Sequence, residues 1–293
     1  MLMTSEGDGT MEHIVVAREA DHGTISGMIG ALCARYRFLC VAPIGRSVQG
    51  RNLWGLTLGS GKRRVLIAAT FHASEWLTTL VCLRLCEELC YAIARERPLC
   101  GWDVRRAMAG RSIVFVPMVN PDGVEIALHD PSRRWQANAD GVDLNHNFNA
   151  GWEILQQFEK EKGINGPCSR QWGGPCAESE PETKALVALC RRADFRHVVA
   201  LHSQGEEIYW QYGEHTPSES YLMAMSMAAV SGYRVGMPTG LASHGGFKDW
   251  FIEEFHRPGF TLELGKGINP LPLSDFEMVY EKAREMLLLS AFL

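Results

Sequence analysis

No apolar run in this chain approaches the roughly 20 residues that a membrane-spanning helix requires, and no block of like charges interrupts it. A membrane anchor and a polyanion-binding tail are therefore not expected. The opening MLMTSEGDGTME has no basic stretch followed by an apolar core, so nothing in it reads as a secretory signal. Nine cysteines, an odd number, fall mostly inside helix-like or strand-like segments, which speaks against a disulfide framework and for a reducing, cytoplasmic compartment. A net charge of -5 gives no reason to expect nucleic acid or an anionic membrane as partner, and oligomeric state is left open. Linker composition and internal repeats are missing too. The expectation is one domain over 13–293 behind a flexible tail at 1–12. What is present is an ordinary soluble composition of 293 residues, 46% hydrophobic and 22% charged, with ample material for a large core.

The chain is organised around RVLIAATFHASEWLTT, from Arg64 to Thr79, where an aliphatic run stops at His72 and Glu75. VLIAA reads as a strand buried on both faces, and EWLTTLVCLRLCEELCYAIAR as a helix starting at Glu75 and ending near Arg97 and Pro98. Within that helix Cys82, Cys86 and Cys90 recur on the face of Leu85 and Leu89, so they read as small core residues, not as a thiolate metal site. Upstream, a helix capped by Asp21 or Thr24 precedes two strands and a tight Gly-Ser-Gly turn. RSIVFVPMVNPDG reads as a buried strand closed by an Asn-Pro-Asp-Gly turn, and the stretch from Val124 to about Pro181 as irregular. Cys168 and Cys176 share a Gly/Pro-rich loop there and could bridge under oxidation.

PETKALVALCRRA follows as a helix with Ser179 as cap and Glu182 completing a capping box. RHVVALHSQG ends a second aliphatic strand on a histidine, His202, and RPGFTLELG carries Glu263 in a last one. Between them lie a Met-rich helix and a short glycine-entered helix, and an amphipathic helix closes the chain. Strands alternating with helices predict an α/β protein with a mostly parallel, two-sided sheet. His72, His202 and Glu263 then fall at one edge of it, where ligand crevices form. His13, His22, His129, His197 and His215 stand in polar or turn-like contexts and are expected at the surface.

An isolated H-x-x-E is weak, since a surface histidine beside an N-terminal helical glutamate that favours the macrodipole accounts for it better. With a second strand-end histidine the picture changes. Two imidazoles and one carboxylate leave one zinc ion an open position, the catalytic pattern. Amide hydrolysis then needs a carboxylate to accept and return a proton, and Glu263, set in the apolar FTLELG, is the candidate.

FHASEW, NPDG, GVDLNHNF, SEPET, LHSQGEEIYWQYG, GGFKDW and TLELG stand in the order seen in the zinc carboxypeptidase A-like family, which the chain resembles from about Pro43 to its end. The resemblance implies a mixed, mostly parallel, twisted eight-stranded sheet with helices on both faces. It further implies that His72, Glu75 and His202 bind one Zn2+ and that Glu263 promotes water. Three arginines of the digestive-type enzymes, which grip the substrate's terminal carboxylate and polarise the scissile carbonyl, are here Ser74, Gln136 and His146, and an expected tyrosine is Ile252. These replacements resemble the bacterial branch that cuts γ-D-glutamyl-diamino acid bonds in peptidoglycan stem peptides. The expected partner is thus a small muropeptide, met by Arg133, Arg134, Asn145, His146 and Gln204. The alternatives are a carboxypeptidase with altered preference for ordinary peptides and a binding protein that has kept the fold without catalysis.

Overall fold

The aliphatic runs become strands because both of their faces are covered. A computed structural model describes residues 11–19 and 21–293, the Arg133 side chain apart; most of the tail expected at 1–12 lies outside the described residues. One sheet contains β1 Leu39–Arg46, β2 Asn52–Gly59, β3 Arg63–Ala69, β4 Arg111–Val116, β5 Phe195–His202, β6 Glu207–Tyr209, β7 Arg234–Gly236 and β8 Gly259–Glu263. Its order is β1-β2-β4-β3-β5-β8-β6-β7. The central β4-β3-β5-β8 block is parallel, with antiparallel pairings at β1-β2, β2-β4 and β8-β6. This is the mixed, mostly parallel eight-stranded architecture that the sequence resemblance implies.

The described helices are α1 His22–Arg35, α2 Leu77–Arg95, α3 Val104–Ala107, α4 Pro121–His129, α5 Trp152–Glu161, α6 Pro181–Ala193, α7 Glu219–Ser231, α8 Phe247–Phe255 and α9 Phe276–Phe292. Along β3, Val65, Ile67 and Ala69 enter one core with α1, α2, α7 and α9, while Leu66 and Ala68 enter a second core with α6 and α8. Side chains alternate across a strand, so a sheet with two covered faces reads as a continuous apolar run. In α2, Cys82, Cys86 and Cys90 are fully buried beside Leu85 and Leu89, as core residues. The same helix anchors the chain's start: the buried Glu87 carboxylate accepts from Ile14 N at 2.6 Å and Val15 N at 3.1 Å, and Arg84 donates to Val15 O.

The link from β2 to β3 is not a hairpin, because β4 lies between them. Gly61 in that link presses on the next chain segment so closely that a Cβ would fall 1.9 Å from Gly110 C, which leaves room for glycine alone.

Four expectations are corrected. Asn-Pro-Asp-Gly does not close a turn: Asn120 Oδ1 accepts from Gly123 N at 3.0 Å and Pro121 opens α4, an N-cap with proline at the first helical position. With α5, this places two helices in the stretch read as irregular. Ser179 does not cap α6, since Glu180 holds the cap position and Ser179 Oγ donates to its carboxylate at 2.6 Å. Glu182 turns away from its own helix to accept from Val48 N at 3.0 Å, tying α6 to the β1–β2 turn. His197 is fully buried in β5, where its Nε2 donates to Ser290 O at 2.7 Å and burial pulls its pKa down to about 4. The polar neighbours of His197 in sequence say nothing about the covered face onto which strand alternation turns it.

Candidate metal centre and active site

β3, β5 and β8 are parallel neighbours, so their carboxyl ends open on one edge. β3 stops at Ala69 and the chain turns through Thr70 with φ 58°, a left-handed conformation that costs a β-branched residue on the order of 1–3 kcal/mol. Thr70 is fully buried, and it is held there from all sides. Its N–H donates to Thr78 Oγ1 at 3.1 Å, its hydroxyl lies 2.7 Å from that of Thr79, and its carbonyl accepts from Asn120 N. The turn carries His72 off the strand and into the short 3-10 helix Ala73–Glu75.

The three expected ligands converge. His72 Nδ1 lies 2.8 Å from Glu75 Oε1, His202 Nδ1 lies 3.1 Å from Glu75 Oε2, and the two Nδ1 atoms are 3.3 Å apart. Among the described residues, His72, Glu75 and His202 are the one group of three or more His, Cys, Asp or Glu side chains able to hold a metal ion, with donor atoms all within 4.8 Å. The surroundings fit that use. Asp143 Oδ1 accepts from His72 Nε2 at 3.1 Å, which fixes the proton on the far nitrogen and leaves the Nδ1 lone pair for a cation. Asp143 is itself fixed by the backbone N–H groups of Asn145 and Gln171. Phe71 stacks on the His202 ring, centroids 5.1 Å apart, and Ser203 N donates to Glu75 Oε2 at 3.2 Å. Asn269 Nδ2 closes the cluster with bonds to Ser203 O and Glu75 Oε1.

The electrostatics follow from burying unlike groups together. Burial works to lower the pKa of His72, but the Glu75 and Asp143 carboxylates raise it well above the usual value. Burial works upward on Glu75, yet His72 and a hydrogen bond from His202 bring it down to about 2. Asp143 is held well below the ordinary carboxylate range against its own burial, by His72 and His146. The pocket thus pairs anionic and cationic groups, and a divalent metal binds to such a set by displacing the protons.

Glu263 ends β8 directly opposite His202 in the β5–β8 register. It is half-buried, and burial followed by the charge of Glu75 pushes its pKa well above the usual value, with His72 working the other way and Glu207 adding. A carboxyl group so poised can hold a proton at a pH where an ordinary glutamate cannot.

The remaining sequence candidates are placed less uniformly. Arg134 is exposed, with φ 48°, in a loop whose Gln136 carbonyl accepts from Ala73 N at 2.9 Å and so leans on the turn between the ligands. Arg133 has its backbone in that loop, but its side chain lies outside the described residues. Asn145 accepts from Phe247 N at the start of α8, and Gln204 is exposed just after His202. His146 is not on an open face: it is buried, with Nδ1 3.2 Å from both Glu159 Oε1 and Gln171 O. Ser74 Oγ is buried without a hydrogen-bond partner, and Ile252 is fully buried in α8. Two residues of the site had not been singled out. Asp143 stood inside the motif GVDLNHNF and could have been found there; Asn269 carries no sequence signal.

Residues 26–286 match the zinc carboxypeptidase family model. The chain belongs to the zinc carboxypeptidase family. It is 34% identical over 292 residues to γ-D-glutamyl-L-diamino acid endopeptidase 1 of Lysinibacillus sphaericus, an alignment covering 93% of this chain and 72% of that protein. It is 35% identical over 281 residues to the uncharacterized protein YqgT of Bacillus subtilis (strain 168), covering 89% and 74% respectively. In fold it is similar to bovine thrombin-activatable fibrinolysis inhibitor, with a TM-score of 0.79 at 22% identity over 94% of this chain and 97% of that one. The chain is therefore a zinc metallopeptidase of the carboxypeptidase type, with His72, Glu75 and His202 as its candidate zinc ligands. Among the described residues no helix of this zinc carboxypeptidase is long and apolar enough to cross a membrane.

Proposed function

We propose that this zinc carboxypeptidase family member hydrolyses the γ-D-glutamyl-diamino acid bond of a peptidoglycan-derived peptide, in the cytoplasm, with 13–293 as a single peptidase domain. One observation carries the reading: the hydrolytic set is intact, while the positions that would grip an ordinary C-terminal carboxylate hold Ser74, Gln136 and a His146 turned inward onto Glu159. A cleft that keeps the reaction and loses the usual recognition cations suits a substrate whose carboxylates and amine stand elsewhere. The 34% identity to a protein named as a γ-D-glutamyl-L-diamino acid endopeptidase supports the same substrate class.

In this mechanism, zinc held by His72, Glu75 and His202 would supply Lewis acidity toward a carbonyl oxygen and bring the pKa of water down to roughly 7. Glu263 accepts the proton of the attacking water and returns it to the departing amine. Asp143 keeps His72 in the ligating tautomer. Arg133, Arg134, Asn145, Gln204 and His146 are the residues assigned to the substrate's polar groups, His146 from a position beside Glu159, which also accepts from Gly173 N.

The test is mass spectrometry of L-Ala-γ-D-Glu-diaminopimelate incubated with the zinc-loaded protein. Release of diaminopimelate, abolished by chelation, is the expected result. Release of single C-terminal L-amino acids from ordinary peptides, with the muropeptide untouched, would overturn the assignment in favour of a carboxypeptidase of altered preference.

A further inference from the structure

The central strands that deliver the metal ligands at one end deliver arginines at the other. Arg63 opens β3 and Arg111 opens β4, and the two are directly opposed in the parallel register. Like charges placed directly across a sheet repel, and the strands nevertheless bring them together. Arg106, exposed on α3, is the third member. The three line one cavity of about 510 Å³ together with Cys100, Trp102 and Asp103.

Among the described residues, nothing neutralises this cluster. The one carboxylate in the cavity, Asp103, accepts from the backbone N–H of Arg106 at 3.1 Å as a helix cap. Among the described residues, no ion pair to Arg63, Arg106 or Arg111 is formed; Arg63 donates to the Ala109 carbonyl instead, at 3.0 Å. Arg111 Nη1 is buried and lacks a hydrogen-bond partner. Arg196 on β5 adds its repulsion: burial, then the charges of Arg63 and Arg196, hold the guanidinium pKa of Arg111 below its usual value. An unpaired buried guanidinium nitrogen costs several times what a made hydrogen bond returns, and an entering anion would relieve that cost together with the mutual repulsion.

We infer that this cavity is a binding site for a phosphate-bearing anion of the diphosphate type, held by the forks of Arg63, Arg106 and Arg111 at the sheet edge opposite the zinc centre. Guanidinium forks match phosphate oxygens bidentately, and three of them around one cavity exceed the needs of a single carboxylate. The ring of Trp102, 37% exposed beside the arginines, gives a ligand larger than pyrophosphate a surface to lie on. The inference does not depend on the peptidase substrate.

Titration calorimetry of the full, zinc-loaded chain at fixed ionic strength tests it, with inorganic pyrophosphate and a nucleoside diphosphate as separate probes and chloride as the balancing salt. Saturable one-to-one binding is expected, weakened about tenfold in Arg106→Gln and also in Arg111→Lys, which keeps the charge but loses the fork. Equal affinity for both probes would identify the diphosphate group as the whole ligand, and tighter binding of the nucleotide, with quenched Trp102 fluorescence, would identify a nucleotide. Absence of saturable binding by either probe, or binding unchanged in the Arg106→Gln protein, would overturn the site. Arg106 lies on the surface, so that variant reads the cavity even where a change at Arg111 unfolds the strand.

Discussion

The two ends of the parallel strands in the central sheet carry different chemistry. At the carboxyl ends of β3, β5 and β8 stand His72, Glu75, His202 and Glu263; at the amino ends of β3, β4 and β5 stand Arg63, Arg111 and Arg196. Parallel strands sort chemistry by polarity, because every residue just past a strand reaches one edge and every residue just before it reaches the other. The difference persists within a single strand. His197 and His202 both belong to β5, both are buried, and burial lowers the pKa of each. His202 meets a carboxylate and a second imidazole, so its lone pair has a use, whereas His197 Nδ1 has no partner and its Nε2 serves a backbone carbonyl.

The comparison is broken most directly at Glu263. Glu263→Gln keeps the shape of the carboxyl group and removes its ability to exchange a proton, so kcat should fall by about 10²–10⁴-fold. Zinc content measured by atomic spectroscopy should stay at one ion per chain. Loss of the metal would move Glu263 from proton transfer to ligand support, and undiminished turnover would remove it from the reaction. A smaller effect is expected one shell out. Asp143→Asn leaves His72 free to place its proton on either nitrogen, and zinc affinity measured by chelator competition should weaken by about 10–100-fold. Unchanged affinity would mean that Asp143 fixes the loop and not the ligand.

Much of the carboxyl-end site was legible in the sequence, and the reason is local. His72 and Glu75 are three residues apart, and His202 and Glu263 each interrupt an aliphatic strand, so polarity stands out against the run that precedes it. Asp143 and Asn269 reach the site through loops, where no periodicity marks a direction. The arginine end was illegible for a different cause. Its members lie at 63, 106, 111 and 196, in a chain of net charge -5, and only the strand order brings them together. The fold class followed from strand and helix alternation, but β6 and β7 span three residues each, too short for an apolar pattern. Helix α4 was hidden by the Asn, Pro and Gly residues that read as turn formers, since asparagine caps and N1 prolines use identical residue types, while α5 starts from Gly151 without a side-chain cap to announce it.

Between the two ends, His197 makes a pH-dependent contribution of predictable sign. Its folded pKa is about 4 against an ordinary 6.5, so the unfolded chain binds the extra proton first. The stability linked to this residue is therefore intact above pH 6.5 and is lost as pH falls from 6.5 toward 4. His197→Gln should remove that slope while costing about 1–3 kcal/mol at neutral pH, because the Ser290 carbonyl must find a new donor. Urea midpoints of both proteins at pH 4, 5, 6 and 7 check this through their difference, in which the titration of the metal ligands cancels. A difference that does not change with pH would show that His197 is protonated as readily inside the fold as outside it.

The smallest expected effect is the one that tests whether the two ends are separate sites. Strand β3 has seven residues, so at about 3.3 Å per residue its ends lie roughly 20 Å apart, beyond the distance at which substitutions ordinarily couple. Arg106→Gln should leave kcat/KM for the muropeptide and the zinc content within about twofold of the parent. Combined with Asp143→Asn, it should add nothing to the loss of zinc affinity beyond about 0.5 kcal/mol. Non-additivity above that level would mean that charge at the amino ends of the strands acts on the metal centre through the sheet. The arginines would then belong to the peptidase and not to a site of their own, and diphosphate should inhibit hydrolysis in proportion to its occupancy. Additivity, with hydrolysis indifferent to saturating diphosphate, makes the sheet a scaffold with two independent chemistries, sorted by nothing more than the direction of its strands.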